Sequence, residues 1–273
     1  MTQVSASPGA PTARWRPAHA IQVSAAVHAG CAVAFAFQPH LWAWTAAALG
    51  CNYAALTAAV FFPRSRWLGP NLARLPAAAE RRREICLTFD DGPHPEITPR
   101  VLDLLDRHGV KATFFCVGEE VLANPDIARE IARRGHGVEN HSHRHSSAFA
   151  LYGWRTLRRD VDAAQDAIAR VTGAVPEFFR APAGFRSPLL DPLLAWRGLR
   201  YASWTRRGYD TVDRNPRRVL RRLTRNLAAG DLLLLHDRLP VVLEVLPPLL
   251  ERIAEQGLKP VTLAAACSDG RGA

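Results

Sequence analysis

Lysine is almost missing from this chain. It stands only at 111 and 259, so a net charge of +10 is carried by arginine. The plain account of that bias is a GC-rich genome; the functional one is contact with phosphates or with an anionic membrane surface. No nucleic-acid recognition motif accompanies the charge, which by itself gives no ground for nucleic-acid binding. The five cysteines (31, 51, 86, 116 and 267) have no framework spacing. This argues against a disulfide scaffold and favours a reducing compartment. There is no internal repeat and no low-complexity tract.

The longest absence is of charge. No Asp, Glu, Lys or Arg occurs between Arg16 and Arg64. As helices, 20–37 would span about 27 Å and 41–62 about 33 Å, close to the roughly 30 Å of a bilayer's hydrocarbon. Gln38, Pro39 and His40 then form the turn of a membrane hairpin. Trp42 and Trp44 sit near the turn and Trp15 and Trp67 near the other end, as interfacial belts. Arg14 and Arg16 precede the hairpin; Arg64, Arg66, Arg74 and Arg81, Arg82 and Arg83 follow it; the turn carries none. The positive-inside rule therefore predicts two spans in a bacterial inner membrane, with everything downstream in the cytoplasm. The alternative is a signal peptide cleaved after Ala36.

From 84 onward, apolar runs alternate with helical patterns. Expected strands are 85–89, 112–117, 137–140, 178–181, 201–204, 231–236 and 260–263. Expected helices are 98–108, 124–134, 154–171, 216–229 and 243–256. Seven such units in one run predict an α/β fold with a parallel, barrel-like sheet. The division expected is a tail at 1–19, two transmembrane helices at 20–62, a linker at 63–83, a catalytic domain at 84–265 and a tail at 266–273.

In parallel barrels, reactive groups gather at the carboxyl ends of strands. Here the first strand runs into Thr88-Phe89-Asp90-Asp91-Gly92, where two adjacent carboxylates point to opposite faces. The third is followed by His141-Ser142-His143-Arg144-His145, whose paired imidazoles and a carboxylate would suit a metal with open positions. The fourth leads into Arg180-Ala181-Pro182-Ala183-Gly184, and the sixth ends at His236. A lone histidine after a strand is usually structural. Four reactive strand ends together are not so easily dismissed.

These motifs resemble those of the polysaccharide deacetylases, the NodB-like carbohydrate esterases of family four, over about 84–263. The resemblance implies a distorted (β/α)7 barrel and a metal-dependent hydrolase of N-acylated sugars. It implies Asp91, His141 and His145 as ligands of a divalent metal, usually zinc in that family, with His143 a neighbour. It implies Asp90 as general base, Arg180 as its ionic partner, His236 as general acid and the Ala183 N–H as an oxyanion donor. A fourth family motif, D-x-x-D-W, aligns with Arg207-Gly208-Tyr209-Asp210-Thr211. Asp210 is kept as the partner of His236. The first Asp has become Arg207, the Trp has become Thr211, and Ala183 stands where the third motif commonly has an aromatic. Substrate contacts of chitin or peptidoglycan enzymes therefore do not carry over.

Arg217, Arg218, Arg221, Arg222 and Arg225 would line one side of a helix, either as a solvated face or as a surface for anionic lipid. A cytoplasmic, tethered deacetylase cannot easily reach the cell wall. The expected substrate is an acylated sugar on a lipid phosphate carrier, approached by Arg206 and Arg207. The rivals are an extracytoplasmic peptidoglycan or exopolysaccharide deacetylase, a non-haem iron oxygenase using the same ligand set, and an inactive binding protein on this fold.

Overall fold

A computed structural model describes residues 15–268. Arg14, the rest of 1–14 and 269–273 lie outside the described residues. The chain opens with α1 (His19–Phe37) and α2 (Trp42–Val60). Then come α3 (Ala77–Arg81), β1 (Glu84–Asp90), α4 (Ile97–Arg107), β2 (Thr113–Cys116), α5 (Gly118–Ala123), α6 (Pro125–Arg133) and β3 (Gly137–Asn140). They are followed by α7 (Trp154–Thr172), β4 (Phe178–Phe179), α8 (Leu190–Arg197), β5 (Arg200–Tyr201) and β6 (Arg206–Arg207). The last elements are α9 (Pro216–Thr224), β7 (Leu232–His236), α10 (Val241–Glu255), β8 (Lys259–Pro260) and α11 (Leu263–Ala266).

The sheet runs β5-β4-β3-β2-β1-β7-β6, all parallel, with β8 pairing separately to the start of β1. Helices cover its outer face, as the (β/α)7 reading expects. Leu87, Phe89, Val101, Leu105, Phe114 and Leu246 belong to one buried cluster between sheet and helices. In α4, Ile97, Val101, Leu104 and Leu105 recur at helical spacing and are buried together. The central strands β1 and β7 are buried along nearly their whole length, as strands covered on both faces must be.

The expected strands at the far side are shorter than their apolar runs. Only Phe178–Phe179 and Arg200–Tyr201 make ladder pairs, because the chain then bends to aim Arg180 and Trp204 inward. The run at 260–263 is divided: β8 ends at Pro260, and Thr262 caps α11 through a bond from the Ala265 amide. Strand β6, two arginines, has no apolar signature at all. The helix expected to reach 229 stops at Thr224, since Arg225 is extended and Asn226 has φ 54°.

Helices α1 and α2 form an antiparallel pair, with Ser24 against Asn52, His28 against Tyr53 and Cys31 against Thr45. Val23, Val33, Phe35, Phe37, Trp42 and Trp44 are exposed around it. Among the described residues, α1 alone is long and apolar enough to serve as a span or a signal sequence. Helix α2 has the same length but carries Trp42, Trp44, Asn52 and Tyr53.

Both feet of this hairpin are fixed to the domain below. Trp15 donates its indole N–H to Asp191 at 2.8 Å, and Phe61 meets the edge of the Phe185 ring. Segment 63–83 is packed in. Leu68, Leu75 and Ala79 are buried, and Arg74 pairs with the buried Asp231 at 2.8 Å. Leu72 lies beside the end of β5, taking a bond from the Ser203 amide and giving one to the Tyr201 carbonyl. It thus occupies the free edge of the sheet, which would otherwise leave strand groups unpaired.

Candidate active site

Strand register alone brings the first components together. Asp90 at the end of β1 is level with His236 of β7 on one side and Phe115 of β2 on the other. Asp91 then takes φ 76°, a left-handed conformation that breaks the strand's alternation, so that both carboxylates line one cavity. The following Gly92 admits the Asp237 carboxylate so closely that a Cβ would collide with it. Asp237 is fully buried, and burial pushes its carboxyl up to about 7.

The loop after β3 is shaped by its own polar groups. The Ser142 amide bonds the Asn140 side chain, and the His145 amide bonds the Ser142 hydroxyl. Ser142 and His145 both have positive φ, 66° and 48°. Such strain in non-glycine residues gathers where a loop must aim side chains. It sets the His141 and His145 rings 5.0 Å apart, their Nε2 atoms 3.4 and 3.1 Å from Asp91 Oδ1. His143 points elsewhere, packed against Gly118, with its amide bonded to Asp160.

Asp91, His141 and His145 place one donor atom each within 4.8 Å of one another, and they fit a metal. His141 Nδ1 lies 2.9 Å from the Arg180 carbonyl, which only accepts, so the proton is on Nδ1 and the Nε2 lone pair faces the cluster. Asp91 Oδ1 is buried without a hydrogen-bond partner. Burial works to raise the Asp91 carboxyl, but the two imidazoles beside it pull it far below the usual range. For His145, burial works downward and Asp91 more than reverses it.

Behind this cluster stand two ion pairs. Arg180, a wholly buried guanidinium, donates to Asp90 Oδ1 at 2.6 Å, to Thr88 Oγ1 at 2.8 Å and to the carbonyls of Ala202 and Ser203. It lies 4.0 Å above the Phe115 ring. With Arg180 on Oδ1, the other Asp90 oxygen is left on the side of His141, 3.7 Å from Nε2. Across the sheet, both Asp210 oxygens hold His236: one takes the backbone N–H at 2.7 Å, the other faces Nδ1 at 2.9 Å. Burial pulls the His236 imidazole down, but Asp210, with Asp90 and Asp91 adding, raises it above its ordinary value.

Asp90, Asp91, His141, His145, Ala183 and His236 line one cavity of ≈ 250 Å³, with Arg180 and Asp210 supporting it from behind. Ala183 adopts φ 54°, and its amide makes no hydrogen bond among the described residues. Gly184, φ 78°, lets the edge of the Trp204 ring approach. Trp204 in the lining belongs to no sequence motif; Leu234 in the lining and Thr88 beneath Arg180 fall inside motifs but carry no role there. Thr88 was legible in principle, since it lies two residues before Asp90 and so on the same face of the strand.

Known proteins share this arrangement of chain. A family model described as polysaccharide deacetylase matches residues 77–202. The peptidoglycan-N-acetylglucosamine deacetylase of Bacillus cereus is 36% identical over 135 residues, which cover 48% of this chain and 46% of that protein. The chitooligosaccharide deacetylase of Sinorhizobium fredii is 34% identical over 173 residues, 62% of this chain and 79% of the other. The crystal structure of the Bc1960 peptidoglycan N-acetylglucosamine deacetylase superposes with a TM-score of 0.68 at 27% identity, covering 72% of this chain and 92% of that one. This chain spans less than half the length of the peptidoglycan deacetylases it matches first. The parallel sheet, the reactive strand ends and these similarities lead to one family: the chain belongs to the polysaccharide deacetylases.

Proposed function

We propose that the chain is a divalent-metal-dependent hydrolase, zinc being the expected metal, that removes an acetyl or similar acyl group from the nitrogen of an acylated sugar. The observation that supports this most is that one ≈ 250 Å³ cavity is lined by the metal triad together with Asp90 and His236. Each of the last two is held by its own partner, Asp90 by Arg180 and His236 by Asp210, so a proton acceptor and a proton donor face the same space. A divalent ion held by Asp91, His141 and His145 would polarise the acyl carbonyl and acidify a neighbouring water. Asp90 takes the proton from that water, its second oxygen facing the cavity while Arg180 holds the first. The Ala183 amide donates to the oxyanion. His236 carries its proton on Nε2, with Nδ1 held by Asp210, and delivers it to the departing nitrogen; an amine cannot leave unprotonated.

In this reading the segment 20–62, which holds α2 and all but the first residue of α1, makes two spans of a bacterial inner membrane. They join through 63–83 to a catalytic domain at 84–265, between tails at 1–19 and 266–273. Arginines at both feet and none at the turn support a cytoplasmic domain, and with it a lipid-phosphate-linked sugar as substrate. Extracytoplasmic peptidoglycan or exopolysaccharide is the alternative, and compartment-sensitive fusions at the carboxyl terminus decide between them. The chemistry is tested by Asp90→Asn, which should lower turnover roughly 10²–10⁴-fold while metal content is unchanged. Asp91→Asn should lose the metal. Metal loss in the Asp90 variant instead would reverse the two roles.

A further inference from the structure

The catalytic cavity opens into a larger groove of ≈ 910 Å³ that runs to the foot of the hairpin. Phe61, Phe62, Trp67 and Phe185 line its outer part; Ala183, Trp204 and Arg207 are shared with the cavity. At the junction stands Arg207, on β6, level with Leu234 two residues before His236. Its guanidinium lies 5.3 Å from the centre of the Trp204 ring and 5.0 Å from that of Tyr209. Its Nε is buried without a hydrogen-bond partner, and among the described residues no carboxylate pairs with it.

Of the other arginines lining the groove, Arg206 and Arg222 are held by carboxylates, and Arg64 donates to the Thr205 carbonyl at 3.2 Å. Arg206 is spent on Asp231 and on the carbonyls of Arg225 and Asn226, so of the two arginines the sequence offers here only Arg207 is available. Arg222 pairs with Asp213 at 2.8 Å. Arg207 is therefore a half-buried, uncompensated cation fixed between two rings at the mouth of the cavity, its fork of donors unused. A neutral glycan has no need of such a group, whereas a phosphate accepts from an arginine fork in two places. Beyond Arg207 the groove presents the rings of Phe61, Phe62, Trp67 and Phe185 and ends at the hairpin, which matches an alkyl chain leaving toward a bilayer.

Resting on the deacetylase reading, we infer that Arg207 binds a phosphate attached to the acylated sugar, and that the groove beyond it holds the first part of a lipid chain on that phosphate. The test uses the full chain in nanodiscs and three substrates. These are N-acetylglucosamine joined to decanol through phosphate, the decyl glycoside lacking phosphate, and N-acetylglucosamine 1-phosphate lacking the tail. The first should exceed both others at least tenfold in kcat/KM. Arg207→Gln should cut the preference for phosphate about tenfold or more, Arg207→Lys should keep part of it, and the distant Arg252→Gln should leave it unchanged. Equal turnover with and without phosphate, or a preference that survives Arg207→Gln, overturns the phosphate site. Equal turnover with and without the tail overturns the groove. Binding of decyl phosphate, followed by tryptophan fluorescence, separates this from the deacetylase reading. If no substrate is cleaved, a Kd weakened about tenfold in Arg207→Gln still supports the site, and an unchanged Kd overturns it.

Discussion

Asp210→Asn should change the pH dependence of the reaction more than its architecture. The amide nearly matches the carboxylate in size, and its carbonyl oxygen can still accept the His236 backbone N–H, now at 2.7 Å. What disappears is the negative charge 2.9 Å from Nδ1. His236 is held above its ordinary value against its own burial, with Asp210 the largest of the groups that raise it. Without it, burial is opposed only by Asp90 and Asp91, and the imidazolium becomes harder to form. A close opposite charge is worth about 1–3 pKa units. A general acid works only while protonated, so the alkaline limb of kcat should move to lower pH by about that much. Each unit lowers the rate above the new limb about tenfold, or 1.36 kcal/mol. The same raised value stabilises the fold below about pH 6.5, the ordinary histidine value, and that contribution is lost as pH rises through the folded value. The difference in stability between the two proteins should accordingly be largest in acid. The assay is a pH series of kcat at saturating substrate on metal-loaded protein, with metal content measured in both forms. A uniform drop in kcat with the limb unmoved would refute the assignment of His236 as an acid tuned by Asp210.

Arg180→Met should destabilise the protein by about 3–5 kcal/mol in denaturant unfolding, because it strands a buried carboxylate and two buried carbonyls without their donor. A loss under about 1 kcal/mol would show that the guanidinium does not hold the strand ends together. Glu139, which accepts both the Glu177 and Phe178 amides, is pushed by burial up to about 8. Between about pH 5 and 8 the wild type should therefore lose stability relative to Glu139→Gln, by no more than about 1.4 kcal/mol per pH unit. Parallel stability curves for the two proteins would exclude a protonated Glu139 in the folded state.

The reactive strand ends could be read from the sequence because each belongs to a local pattern: Asp90 and Asp91 after an apolar run, His141 and His145 with three residues between them. Strand alternation predicts opposite facing for the two aspartates; the left-handed φ of 76° at Asp91 breaks that alternation, and both carboxylates reach one cavity, 3.7 and 3.4 Å from His141 Nε2. Alternation puts Thr88 on the face of Asp90, but its bond to Arg180 joins residues 92 apart, which no local pattern carries. Strand β6 is legible only through its ladder to β7, for two arginines resemble a surface turn. The end of α9 at Thr224 is likewise imposed from outside, since Arg206 draws the carbonyls of Arg225 and Asn226 out of a helical path.

Leu72, seated against the end of β5, joins the segment below the hairpin to the edge of the sheet. A tether of free chain would let the catalytic mouth sweep a volume and sample glycans at many heights above the bilayer. Here the segment that would be that tether is a stave, pinned by Arg74 at one end and by the Phe61–Phe185 contact at the other. The mouth consequently has a fixed height and heading relative to the hairpin. With the hairpin in a bilayer and a glycan as substrate, as proposed, access would be decided by where the acyl group sits: sugars next to the hairpin's foot would be within reach, and residues farther along a long chain would not.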